Sequence, residues 1–177
     1  MNNLQIHPLD IDNDVMEISS WDKKYKDDPR FETIRKYVLE DDAFWNLYEL
    51  IEINYEKFEI GENEKKIGLV IKNSQEKIIG FMLGIITDMK TKSPELIIQY
   101  LTIHPEFQGQ GVGSYFLREI TTNPKKYIGI KTKKYFTRID ETNIPSKKTF
   151  EKFGFNFSTP HSGFLVAKLN TEENFKE

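Results

Sequence analysis

Apolar positions follow two different periods along this chain, and the period switches at two glycine-bearing stretches. Between Asp14 and Glu56 there is no glycine and a single proline, Pro29, while Phe44, Leu47, Tyr48 and Ile51 recur at helical spacing. Side chains three and four apart share one face of an α-helix, so this stretch predicts two or more helices broken near "KDDPRF". Ahead of it, "NLQIHPL" alternates in part and predicts a first strand. After Gly61 the pattern becomes that of β-structure: "KKIGLVIKN", a turn at "SQEK", then "IIGFMLGIIT", which together predict a hairpin. "DMKTKSPE" follows, with Glu95 reading as a turn residue, and leads into "LIIQYLTIH". That run is almost continuously apolar, as expected of a central strand covered on both faces.

A helix returns with Val112, Phe116, Leu117 and Ile120 on one face, and "TTNPKK" is expected to end it. "YFTRID" predicts a strand. "NIPSKKTFEKFGF" predicts a helix with Asn143 at its N-cap, Pro145 in its first turn, Phe150 and Phe153 on one face and Gly154 as C-terminal cap. "FNFST" and "GFLVAKL", around a turn at 160–162, predict a closing hairpin. The order βααβββαβαββ describes an α/β fold, a mixed central sheet of about six or seven strands flanked by helices. No internal repeat or low-complexity block interrupts it.

Composition narrows the chemistry. The 177 residues are not divided by any Pro, Gly or Ser-rich stretch, so residues 1–177 read as a single domain. The formal charge of −3, with both signs interspersed, argues against a nucleic-acid partner. "MNNLQIHPLD" has no basic flank before an apolar stretch, and no apolar run reaches about 18 residues, so neither signal peptide nor membrane partner is expected and the expected location is cytoplasmic. The chain has no cysteine, which removes disulfides, zinc-thiolate sites and acyl transfer through a Cys nucleophile. His7, His104 and His161 lie far apart without ligand-spaced neighbours; they read as surface or turn residues, and no metal site is expected.

Between the central strand and the next helix stands "HPEFQGQGVGSYF", with Gly109, Gly111 and Gly113 within five positions. The start of a helix leaves several N–H groups unpaired, and glycine lets them approach an anion without a Cβ in the way. The helix dipole adds about 0.3–1 kcal/mol for a negative group there. Glycines also serve plain tight turns, so this stretch alone fits either a phosphate site or a turn. No GK[ST] follows, which excludes a P-loop, and G-x-G-x-G in mid-chain is neither the spacing nor the place of a dinucleotide-binding fingerprint.

"LTIHPEFQGQGVG" resembles the acyl-CoA-binding signature Q/R-x-x-G-x-G/A of the GNAT superfamily of N-acetyltransferases, with Gln108, Gly111 and Gly113 at its defining positions. "NIPSKKTFEKFGF" is similar to that superfamily's second motif, N-x-x-[AS]-x-x-x-Y-x-x-x-G-F, through Asn143, Ser146, Gly154 and Phe155. The two lie about thirty residues apart, and the resemblance runs over residues 67–169. It implies a GNAT-like sheet whose fourth and fifth strands splay apart. It further implies acetyl-CoA as co-substrate, its pyrophosphate on the amides of Gln108, Gly109, Gln110, Gly111, Val112, Gly113 and Ser114, and its pantetheine arm along the backbone of Leu101, Thr102 and Ile103. Asn143, Ser146 and Phe150 would meet the cofactor from the second motif; on its own spacing Asn143 reads equally as a helix cap. The acceptor would be a small-molecule amine or a protein amino group, and the assembly a monomer or homodimer.

Acyl transfer to an amine needs the neutral amine, which at a pKa near 10.4 is present about once in a few thousand at pH 7, an offset of roughly 4–5 kcal/mol. Many relatives carry a tyrosine to protonate the departing thiolate where this chain has Phe150, which also reads as a core aromatic. A thiol with a pKa near 8.5 leaves tolerably as thiolate, so a missing acid would slow the reaction without abolishing it. The fourth strand carries no carboxylate to serve as base, and Gln99 cannot take a proton. Tyr100 and Tyr115 are the catalytic candidates for acid or relay roles, each also readable as an ordinary half-buried tyrosine. The family places the acceptor near Lys24–Phe31 and Thr159–Phe164, where Asp27 and Asp28 are either an amine site or solvated surface. The acid-rich "EINYEKFEIGENE" carries the same pair of readings, whereas Lys125, Lys126, Lys131, Lys133 and Lys134 of "NPKKYIGIKTKK" read as an exposed face or as residues that help receive phosphates. The expected function is an acyl-CoA-dependent N-acyltransferase, the alternative an acyl-CoA-binding protein with weak or no catalysis.

Overall fold

The computed structural model describes residues 3–27, 47–159 and 162–171. Seven strands form one sheet: β1 (Gln5–Pro8), β2 (Lys65–Lys72), β3 (Ile78–Thr87), β4 (Glu95–Ile103), β5 (Lys134–Asp140), β6 (Asn156–Phe157) and β7 (Phe164–Asn170). Their order is β1-β2-β3-β4-β5-β7-β6, antiparallel throughout except for the parallel pair β4–β5. The helices are α1 (Ile11–Ser19), α2 (Asp22–Asp27), α3 (Leu47–Ile51) continued by a π-helical turn over Glu52–Lys57, α4 (Val112–Thr122), α5 (Pro124–Ile128) and α6 (Ile144–Glu151). The mixed sheet flanked by helices agrees with the sequence reading, and its strand order places β4 at the centre.

Two apolar layers enclose the sheet. On one face α4 supplies Val112, Phe116, Leu117 and Ile120, and α6 supplies Phe150, against Leu96, Ile98, Tyr135 and Ala167. Each such side chain contributes about 1.5–3 kcal/mol when fully withdrawn from water. On the other face Val15 and Ile18 of α1, Trp21, and Leu50 and Ile51 of α3 cover Val70, Phe81 and Leu83. Asp10 caps α1 by accepting from the N–H groups of Asp12 and Asn13. Asp22, whose carboxyl pKa is raised by burial, accepts the N–H of Leu47 at 3.0 Å and so fixes the start of α3.

The register of β4 explains how one strand serves both layers. Gly84 pairs with Ile98 and Leu83 with Tyr100, so Gln99 is an extra residue opposite β3. A bulge of this kind bends its strand and shifts the side-chain alternation by one. Leu96 and Ile98 before it and Leu101 and Ile103 after it thus face the same layer, while Tyr100 packs into the other. Parallel pairing with β5 runs from Glu95↔Lys134 to Ile98↔Thr137 and ends there. Beyond that point β4 stays with β3, and β5 stays with β7 through Arg138↔Val166 and Ile139↔Leu165. The two central strands therefore part at the bulge.

Two local readings, those of Glu95 and His104, need correction. Glu95 is the first residue of β4, not a turn residue, and pairs with Lys134 at 3.2 Å. "TTNPKK" ends α4 but Pro124 at once opens α5, which Gly129 closes. His104 is buried, at 1% exposure, and is not a surface residue. Its N–H donates to the Ile79 carbonyl, its Nδ1 accepts the Glu106 N–H at 3.2 Å, and its ring stands edge-on to Trp21 and Phe107. The turn of the closing hairpin includes residues 160 and 161, and the break at "KDDPRF" includes residues 28–31; both lie outside the described residues.

Two tests follow from this packing. A Cβ on Gly84 would stand 2.7 Å from the Ile97 carbonyl oxygen, backbone that cannot step aside. Gly84→Ala is expected to destabilise by about 1–3 kcal/mol, lowering Tm by about 3–10 °C in thermal unfolding, whereas Gly61→Ala, whose Cβ makes only ordinary contact with Glu64, leaves Tm unchanged. Burial first, then Lys77 and Lys24, lowers the His104 pKa, so the fold holds its ring neutral. The unfolded chain takes up this proton below about pH 6.5 and the folded chain only at lower pH. Stability is therefore complete above about pH 6.5 and declines as pH falls through the folded pKa; urea midpoints of wild type and His104→Asn at pH 7.5 and 5.5 should show the smaller pH dependence in the variant.

Candidate active site

β4 ends at Ile103, and the peptide beyond it is held before it turns. His104 caps a 3₁₀ turn over Pro105–Phe107. Gln108 then donates its side-chain amide to the Ile103 carbonyl at 3.0 Å, and Gln110 donates to that of Glu106 at 2.7 Å. Lys24 of α2 pairs with Glu106, holding its carboxyl pKa below the usual range, and Lys77 adds a contact at 3.8 Å. The turn is thereby tied to β4 beneath it and to α2 beside it.

Gly109 and Gly111 have φ of +71° and +81° and flank Gln110, which does not have positive φ. Alternation of hand along successive residues points their N–H groups into one concavity, an arrangement suited to anions. Gly111 is the N-cap of α4 and offers no side-chain cap. The first amide of α4 with a backbone acceptor is that of Tyr115, which donates to Gly111 at 2.9 Å; among the described residues those from Gly109 to Ser114 donate to nothing. Nothing lies within 4 Å of a Cβ built on Gly109, and Gly109, Gln110 and Gly111 are exposed, while Val112 beneath them is buried. A row of open donors at the positive end of a helix of eleven residues fits a diphosphate.

The second segment meets the first at Gly113. A Cβ there would touch Ile103 Cγ1 at 3.7 Å and Thr149 Cγ2 at 3.9 Å, so the end of β4, the start of α4 and the flank of α6 converge. Asn143 caps α6, its Oδ1 accepting the Ser146 N–H at 3.1 Å. Phe150 is buried at 3% exposure, edge-on to Phe155 with centroids 5.0 Å apart. Leu101 and Thr102 pair with β3 on one side and have no β5 residue on the other. The structure thus joins Ile103 at the end of β4, Gly113 at the start of α4 and Thr149 on α6, with Asn143 and Ser146 in the first turn of α6 and Phe150 in the core beneath it.

The two tyrosines part company. Tyr100 lies on β4 just past the bulge; burial raises its pKa against an opposing hydrogen bond from Asn54. Tyr115 points away, donating its hydroxyl to the Leu4 carbonyl at 3.0 Å beside β1, three strands from the split. Asn54, which the sequence reading did not single out, sits in the π-helical turn and donates to the Leu50 carbonyl at 2.8 Å. Of the acceptor segments, 28–31 and 160–161, with Asp28, are outside the described residues. In the acid-rich stretch Glu52 pairs with Lys57 and Glu64 accepts the Gly61 N–H, while Lys126 of the basic stretch lies against Tyr127. Among the described residues no helix is long and apolar enough to cross a membrane.

Solved structures share this architecture. A chimera of the Vibrio cholerae spermidine N-acetyltransferase SpeG with hSSAT is 16% identical, with TM-score 0.62 over 98% of this chain and 99% of that one. The ribosomal-protein-S18-alanine N-acetyltransferase of Escherichia coli is 16% identical, with TM-score 0.59 over 96% and 94%. The PaiA N-acetyltransferase of Thermoplasma acidophilum, solved in complex with coenzyme A, is 16% identical, with TM-score 0.56 over 95% and 99%. At such identities the likeness is one of fold. No curated protein sequence matches the chain. The family model that does match, over residues 18–155, is that of the acetyltransferase (GNAT) family, and to that family this chain belongs.

Proposed function

We propose that this chain is an N-acetyltransferase that uses acetyl-CoA, and that the β4–β5 split is where transfer takes place. The observation that carries the reading is the run of open amides from Gly109 to Ser114 beside a strand end without a β5 partner. Family membership and a fold shared with a coenzyme A complex support it. When bound, acetyl-CoA supplies a thioester whose acyl carbon an amine attacks, with breakage of the C–S bond and release of the thiol.

Each group of this chain then has a defined task. The amides of Gly109 to Ser114 would hold the diphosphate, with Gln108 and Gln110 bracing the loop from outside. Main-chain groups of Leu101 and Thr102, released from β5, would orient the pantetheine arm and donate to the developing oxyanion. Asn143 and Ser146 would line the cofactor at the start of α6. Tyr100, a phenol that carries its proton at neutral pH and whose pKa burial raises further, would act as a hydrogen donor and not a base at the lip of the split. Tyr115 takes no part. With no carboxylate on β4 past Glu95, water is left to deprotonate the incoming amine.

A second reading, binding without efficient transfer, is favoured by the burial of Phe150 where relatives place an acid. Calorimetry with CoA and acceptor-dependent release of CoA thiol separate the two: both signals support transfer, binding alone supports the second reading, and no binding ends both. Gly111→Asp, which sets a carboxylate in the nest at a positive φ, is expected to weaken CoA binding at least about tenfold. Tyr100→Phe is expected to lower kcat by about 100-fold with CoA affinity intact. Phe150→Tyr should lower stability by about 1–3 kcal/mol, from a hydroxyl placed in an apolar core, and change kcat less than threefold; a gain of tenfold or more would show that protonation of the leaving thiolate limits the rate.

A further inference from the structure

On the side of the sheet that carries α1 and α3, the split divides a half covered by these helices from one that, among the described residues, no helix covers. Val15, Ile18, Trp21, Leu50 and Ile51 cover β2 and β3 there. On β5 and β7 the same face presents Phe136, Arg138, Phe164, Val166 and Lys168, none of which joins either core cluster among the described residues, with Lys134 and Asp140 at the two ends of β5. Parity shows that they share this face, because Tyr135, Ile139, Leu165, Ala167 and Leu169 point into the layer under α4 and α6.

Two of the cations on this face, Arg138 and Lys168, are placed alike. The Arg138 guanidinium lies 5.0 Å from the Phe164 ring centre and the Lys168 ammonium 5.2 Å from that of Phe136. Arg138 pairs with Val166 and Phe136 with Lys168, so Arg138 and Lys168 are diagonal neighbours on adjacent strands. Among the described residues neither has an ion-pair partner, in contrast to Lys134 of the same face, which Glu95 neutralises. Arg138 is the first β5 residue after the last pair with β4, and Tyr100 stands on the opposite lip of the split, on the same face. A guanidinium that rests against an aromatic ring can still present its N–H fork to a planar, bidentate anion.

Resting on the transferase reading above, we propose that Arg138, with Lys168 behind it, recognises a carboxylate carried by the acceptor, so that the acceptor is a small amine bearing a carboxylate and not a polycation. With α4 and α6 closing the other face, an amine reaches the split from this side. Its carboxylate then meets Arg138 while its nitrogen enters between β4 and β5, and Phe136 and Phe164 form the floor beneath the remainder. Arg138 is in this account a specificity-determining residue that takes no proton.

The test uses the full chain with acetyl-CoA and a pool of the common amino acids, their carboxamides and spermidine, with acetylated products identified by mass spectrometry. Acetylation confined to free carboxylate forms is expected, with KM for the best of them raised about 10- to 100-fold by Arg138→Gln at unchanged kcat and unchanged CoA affinity. Arg138→Lys should restore part of that loss, and the control Arg118→Gln on α4 should restore nothing and remove nothing. Amides or spermidine acetylated as well as the amino acids, or a KM indifferent to Arg138→Gln, would overturn the proposal while leaving the transferase reading intact. CoA binding with no product from this pool overturns the proposal, the transferase reading then being decided by acceptor-dependent release of CoA thiol with protein amines, and absence of CoA binding shows that the fault lies with the cofactor site.

Discussion

A strand in a sheet has two edges, and β4 satisfies both over four residue pairs only. The extra residue at Gln99 makes it choose. Past the bulge its main chain follows β3, and β5 keeps to β7, so the pairing that a regular sheet would continue between β4 and β5 stops there. Buried polar main chain needs partners, and a gap lined with it is a site for a ligand that can supply them. The same bulge resets the alternation of side chains, which lets Leu101 and Ile103 line the layer beneath α4 and leaves Tyr100 on the other face. One extra residue thus parts β4 from β5 and sorts the side chains that follow it between the two faces.

The second element of the site is also main chain. The donors at the head of α4 are amides, held in place by glycine dihedrals and by the side chains of Gln108, Gln110 and His104 working behind them. Chemistry delivered by backbone asks little of the side chains on the ligand side. That is consistent with chains of 16% identity sharing the fold while differing in most residues.

Most of the fold was legible because its periods are clean. "IIGFMLGIIT" and the 112–120 face could be placed from spacing alone, and both stand where expected. The glycine-rich turn was legible as a possible anion site since its chemistry is local. The bulge was not, because "LIIQYLTI" is apolar in both phases, and a one-residue shift leaves no mark where both faces are buried. His104 was misjudged for a related reason: its burial depends on Trp21, 83 positions earlier, and on the Ile79 carbonyl, neither visible in a local window. Asn54 depends on a π-helical turn that tertiary packing selects, and the separation of Tyr100 from Tyr115 depends on which strand each tyrosine faces.

The division at β4 and β5 also bears on stability. Past Ile98 no β4–β5 pair joins the β1–β4 half to the β5–β7 half, so their union there falls to the layer in which Phe116 and Leu117 of α4 meet Tyr135 and Ala167. Tyr135 is wholly buried, its hydroxyl pKa raised by that burial and its proton directed to the Thr132 carbonyl at 3.2 Å. α4 is seated on β3 and β4, and α6 is borne by the segment that links β5 to β7, yet the two touch at Gly113 and Thr149. A ligand lying from the head of α4 along the flank of α6 contacts both halves at once. Binding free energy at such a position is also cohesion between the halves, since whatever binds only the assembled site favours the assembled chain.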